Sequence, residues 1–238
     1  MSAHFGEVVQ TTRFPLTQAT TMAPTAPTKR IKRRENTRRE LIAATIDSIA
    51  TKGFAETTLA KVSKLAGVSR GLVNFHFVSK EKLLNETLEQ LSEEYAESWK
   101  KALEQADKDP VSQLVALIDS DFHPRVCTRK KVAVWYAFLG EARSRPTYTT
   151  VCQSWDRRFS EVMQICCKNV AKYGNYDNID YQVVARGLGA LIDSLWRDLM
   201  LSPKDFSRED SKVMCFRYLA NIFPRHFDKN GALKSAKA

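Results

Sequence analysis

Arg70 and Asn74 stand one helical turn apart in the run Ser69-Arg-Gly-Leu-Val-Asn-Phe-His-Phe77. An arginine can offer two parallel N–H groups to guanine, and an asparagine can pair in the same two-point manner with adenine. Ser69 is a capping residue, which places both side chains at the start of a short helix. Thr57, Thr58 and Lys80 carry hydroxyl and ammonium groups suited to phosphate oxygens. Gly71, Phe75 and His76 fall within the same span and complete the candidate DNA-facing set. For each polar residue the alternative is a solvated surface position or a helix cap, and for Phe75 it is packing in the core.

A second group of residues suits different chemistry. Trp135, Phe138, Trp155 and Trp196 are candidate walls of a binding site, and Glu141 and Asp193 lie in the same apolar segments. A quaternary ammonium has no N–H to donate, so aromatic faces hold it, helped by nearby carboxylates. Asp193 is conspicuous inside the apolar run 188–196, because a buried charge must be paired or bind something. The alternatives are ion pairs: Asp193 with Arg186 or Arg197, and Glu141 with Arg143 or Arg145. One or two of the four tryptophans are expected to touch a ligand, the others to fill the core.

Catalytic constellations are missing from the sequence. The four histidines (4, 76, 123 and 226) are scattered, and no nucleophile, base and orienting group recur at a useful spacing. Gly187-x-Gly189 follows no strand, so the dinucleotide-loop reading fails. The five cysteines (127, 152, 166, 167 and 215) form no CxxC pairs and read as small buried residues. No enzyme, cofactor or metal is expected.

The elements that must position these residues read as helices throughout. Thr37 and Glu40 have the spacing of a capping box. Leu41, Ile42, Thr45, Ile46 and Ile49 then share a face up to Gly53. A second helix, capped at Thr57 and Thr58, turns inward Leu59, Val62 and Leu65. After the turn at Gly67, the third helix runs from Arg70 to about His76 and packs through Val68, Leu72 and Val73. Seven residues are too few for an isolated helix; two helices this close across a glycine turn form a helix-turn-helix. Ser79 starts a longer helix with Leu84, Leu88, Leu91, Tyr95 and Trp99 inward, and Asp109-Pro110 starts a fifth. Four more patterns follow, near 128–144, 147–173, 180–201 and 207–223. The expectation is nine helices and no sheet.

The charge supports this division. The chain of 238 residues has a net charge of +10, and residues 1–80 hold 13 Lys and Arg against 5 Asp and Glu. A basic head on a nearly neutral body is the footprint of nucleic-acid binding. No apolar run reaches the ~18 residues that span a bilayer, and the start lacks the pattern of a signal peptide. A cytoplasmic protein is expected. The domains read as a disordered extension (1–28), a helix-turn-helix head (29–79), a helical ligand-binding and dimerisation body (80–228) and a disordered tail (229–238).

Residues 35–84, above all "TTLAKVSKLAGVSRGLVNFHFVSKEKLL" (57–84), resemble the N-terminal domain of the tetracycline-repressor family of bacterial transcription regulators. The resemblance implies a homodimer whose all-helical body binds a small inducer and whose heads bind operator DNA. Many members have a tyrosine where this chain has Asn74, which puts the usual backbone contact there in doubt. "VWYAFLGEARSRPTY" (134–148) and "VVARGLGALIDSLWRDLML" (183–201) are similar to the choline-responsive subgroup that represses betaine synthesis. Ser194 departs from that pattern's glycine. In such a dimer the last two helices of each subunit pair, and Leu188, Leu191, Leu195, Leu199, Val213, Phe216 and Ala220 are candidates for that seam. The competing readings are a regulator of this family with another hydrophobic or cationic ligand, and one controlled by a protein partner.

Overall fold

The computed structural model describes residues 29–228 and 230–233. Within them the chain forms α1 (Lys29–Lys52), α2 (Leu59–Ala66), α3 (Arg70–His76), α4 (Lys80–Gln105), α5 (Pro110–Asp121), α6 (Arg129–Ala142), α7 (Pro146–Tyr173), α8 (Tyr181–Leu201) and α9 (Arg208–Ala220). The all-α architecture is as expected. One small departure is the antiparallel pairing of β1 (Phe227–Asp228) with β2 (Gly231–Ala232). Phe227 is fully buried and anchors this hairpin, so ordered chain continues past residue 229, where the sequence predicts a disordered tail. The predicted extension 1–28 lies outside the described residues.

Side-chain caps fix most helix starts. The hydroxyls of Thr58, Ser69 and Ser79 accept from the amides of Lys61, Leu72 and Lys82, and the Asp109 carboxylate accepts from Val111 and Ser112. Each satisfies an amide that the helix itself leaves open. Gly67 closes α2 in the left-handed region, at φ 66°, where a side chain would strain the backbone. The predicted capping box is a correction: α1 begins at Lys29, so Thr37 lies inside the helix and caps nothing.

Leu41, Ile42 and Ile49 of α1 pack with Val62, Val73 and Phe77 to form the head. Leu65 and Leu72, predicted to point inward, are exposed, because the short helices turn only Val62, Ser63 and Val73 fully to the core. In the body α7 is central and packs against α4, α5, α6 and α8. Helix α6 also packs on α1, joining body to head. All five cysteines are buried and unbridged.

The predicted subunit seam also needs correction. Leu188, Leu195, Leu199 and Phe216 are buried within their own chain, while Leu191, Val213 and Ala220 are half-buried. These positions pack α8 against α7 and α9.

Candidate functional site

In the head, α3 presents Arg70, Gly71 and Asn74 to solvent, with Arg70 and Asn74 on one face. Phe75 is 64% exposed, whereas Phe77 is fully buried, as its core reading requires. His76 is half-buried; burial first, then Arg34 and Arg38, hold its imidazole below the usual value. Thr58 and Ser69 are exposed caps. Thr57 is a correction: it is buried, its hydroxyl donates to the Gly53 carbonyl and meets Ser48 Oγ at 3.0 Å, so it presents nothing to a phosphate. Lys80 is half-buried, with Nζ 5.8 Å from the Phe54 ring centroid.

In the body, Tyr95, Trp155 and Trp196 form a wall shared by two cavities. The larger, of about 310 Å³, is bounded by α4, α5, α7 and α8. The smaller adds Trp135, whose ring centroid lies 4.1 Å from that of Trp155. Tyr95 contacts Trp155, Phe159 and Trp196 at centroid distances of 4.7, 5.4 and 5.7 Å. Four aromatic residue types from three helices thus converge: α4 supplies Tyr95, α7 Trp155 and Phe159, and α8 Trp196.

Carboxylates border the same space. Asp193 lies on the wall of the larger cavity in no ion pair among the described residues; partial burial raises its pKa, and Arg197 lowers it. Arg197 instead donates to Ser194 Oγ at 2.8 Å. Asp156 is raised to about 6 by burial and by Asp193. Asp121 was missed in the sequence and is the most deeply placed. It is fully buried, accepts the Tyr95 hydroxyl, and is pushed up to about 8, mainly by burial. Its backbone carbonyl accepts Trp196 Nε1 at 3.1 Å. Asp121 Oδ2 and Trp155 Nε1 are both buried and find no partner among the described residues. Unpaired buried polar atoms are uncommon and call for an explanation such as a ligand or an ion.

Two predicted ligand residues lie elsewhere. Phe138 is fully buried between Phe54 and Tyr148, at centroid distances of 5.5 and 5.1 Å, in the joint between head and body. Glu141 pairs with Arg145 at 3.3 Å on that same side. Both face the head because α6 turns that end toward α1. Of the predicted set, Trp135, Trp155, Asp193 and Trp196 come together around the cavities. The sequence did carry a signal for Asp121. Leu114, Leu117, Ile118 and Asp121 share one helical face, so the carboxylate continues a buried stripe.

Comparison with known proteins agrees with this division. Residues 41–87 match the profile of bacterial regulatory proteins of the tetR family, and residues 110–224 match that of the BetI-type transcriptional repressor C-terminal domain. The chain is 30% identical over 183 residues to the HTH-type transcriptional regulator BetI of Stenotrophomonas maltophilia, covering 90% of that protein. A transcriptional regulator from Pseudomonas aeruginosa PAO1 superposes with a TM-score of 0.71 at 23% identity, over 80% of this chain and 91% of that one. One from Saccharomonospora viridis, described in complex with choline, gives 0.69 at 20% identity, over 84% and 100%. These two likenesses speak for the fold alone. Among the described residues no helix is long and apolar enough to cross a membrane. A capped helix-turn-helix head, a helical body and relatives matched along most of their length place this chain in the tetR family, with a BetI-type C-terminal domain: it is a DNA-binding transcription regulator and not an enzyme.

Proposed function

We propose that the protein is a homodimeric repressor released from its operator by a small quaternary ammonium inducer, choline or a close relative, and that it controls the conversion of choline to glycine betaine. The observation that carries this reading is the aromatic wall of Tyr95, Trp155 and Trp196 around a cavity that also holds the buried, half-satisfied Asp121. Aromatic faces attract a cation that cannot donate hydrogen bonds, and a carboxylate supplies the counter-charge. The names of the relatives and the choline complex of the Saccharomonospora viridis regulator support the same ligand class.

Helix α6 offers a route from ligand to DNA. Trp135 and Lys131 border the smaller cavity, while Lys130 pairs with Asp47 of α1 at 2.5 Å and Phe138 packs on Phe54. Movement of α6 would reorient each head, so that the two no longer fit successive major grooves. An inducer does this only by binding the two arrangements unequally.

The test is a gel-shift titration on the promoter region beside the protein's own gene, with and without choline and betaine aldehyde. A specific shift released by either compound is expected. A specific shift that neither releases would keep the DNA-binding head and remove the betaine assignment, favouring another hydrophobic or cationic ligand or a protein partner.

A further inference from the structure

α1 extends three turns beyond the part of it that has a core to pack against. Its first fully buried residue is Leu41, and nearly every residue from Lys29 to Glu40 is exposed. Seven of the first eleven residues are Lys or Arg. Arg30, Arg34 and Arg38 recur at every fourth position, on the ridge that continues into the buried Ile42 and Ile46. Like charges at this spacing destabilise an isolated helix by a few tenths of a kcal/mol per pair. The ridge is therefore poorly suited to standing alone in water and well suited to a polyanion.

Its position indicates which polyanion. The Arg34 guanidinium lies 5.4 Å from the ring centroid of Phe75, on α3. Arg34 and Arg38 border an open cleft of about 400 Å³ with His76 at the end of α3 and Glu86 of α4. Among the described residues only Arg38 of the three is in an ion pair, with Glu86. Glu86 also meets Lys82 and Glu35 lines the cleft, so the acidic groups are fewer than the basic ones they face. The depressed pKa of His76 registers the resulting positive field. Helix α3, of seven residues, is about 10 Å long, against a major groove about 12 Å wide. A group beside either end of α3 would then meet a bordering sugar-phosphate strand. The Ser69 cap marks one end and Arg34 the other.

We propose that the first turns of α1 form a second DNA-contacting surface, in which Arg30 and Arg34 hold the phosphate backbone of the duplex whose major groove α3 enters. The inference rests on the reading of α3 as the DNA-reading helix. Arg38 is a positioning residue, tied to Glu86 and stacked 5.9 Å from the Phe77 ring centroid, and it fixes the ridge against the head.

The experiment measures binding of the full chain to an operator duplex and to a scrambled duplex between 50 and 200 mM KCl. It compares the wild type, the double variant Arg30→Gln/Arg34→Gln, and Arg70→Ala, with helix content checked by circular dichroism. Two lost phosphate contacts lower the salt slope by about 1.8. Across this fourfold salt range the wild type should therefore lose about tenfold more affinity than the double variant. That variant should weaken on both duplexes alike and keep its preference for the operator, whereas Arg70→Ala should lose that preference. An unchanged salt slope, or a loss confined to the operator, would overturn the proposal. A wild type that fails to discriminate the two duplexes would overturn the reading of α3, and with it this inference.

Discussion

Asp121 shows how much one carboxyl can decide. An unfolded aspartate titrates near 3.9, while in the fold Asp121 is raised to about 8 by burial, against the lowering effect of the Tyr95 hydroxyl and with the help of Asp193. The folded chain therefore keeps a proton that the unfolded chain releases. The contribution of Asp121 to stability falls as pH rises from about 4 to about 8, and the penalty is then constant. A cation next to Oδ2 reverses the preference and expels the proton. Choline should bind more tightly at pH 8.5 than at pH 6, with Asp156, at about 6, adding to the trend at its lower end. Titration calorimetry in buffers of different ionisation enthalpy reads the released proton directly. Identical heats and a flat affinity profile would remove Asp121 from the site. Asp121→Asn should raise the melting temperature at pH 8 while abolishing most of the pH dependence of binding. Residue identity made Asp193 legible, since a carboxylate in an apolar run stands out. Asp121 was legible only from the stripe it continues. Phe138 and Glu141 were misassigned because periodicity shows that a residue faces inward, and not which neighbouring helix it will meet.

Helices, unlike sites, could largely be read from their punctuation. Thr58, Ser69, Ser79 and Asp109 all cap where expected, because the hydrogen bond that starts a helix is local. The start of α1 was less legible: Arg and Lys propagate a helix without leaving an apolar period to detect. Pairings between helices were hidden for a different reason. Gly187 in α8 lies against Tyr218 of α9, whose hydroxyl donates to the Val184 carbonyl at 3.1 Å. A methyl group at 187 would collide with that hydroxyl. Helix propensity alone favours alanine there by about 1 kcal/mol, whereas forcing an extra carbon into a packed contact costs roughly 1–3 kcal/mol. Since the obstacle is an anchored phenol, the collision should win. Gly187→Ala should lower stability in urea unfolding by about 1–2 kcal/mol, and Tyr218→Phe in the same chain should restore part of it. A stabilised Gly187→Ala would show that α8 and α9 slide apart freely.

At the scale of the molecule, head and body share one hydrophobic core, running from Leu41 and Val62 through Phe54, Phe138 and Tyr148 to Trp155 and Leu188. The joint between them is mainly aromatic, with Arg145 placed 5.7 Å from the Phe54 ring and 5.6 Å from the Tyr148 ring. Such continuity makes the two parts unfold together, so calorimetry should record a single transition. Two separated transitions, with the head melting first, would contradict a shared core. The continuity also has a practical consequence. A ligand that binds only the folded state stabilises whatever melts with its site, by RT ln(1 + [L]/Kd). A compound seated beside Trp155 would then slow amide exchange in the reading helix of a chain that has never met DNA. An inducer could be found from a library by the heat resistance of the purified protein alone, before its operator is known.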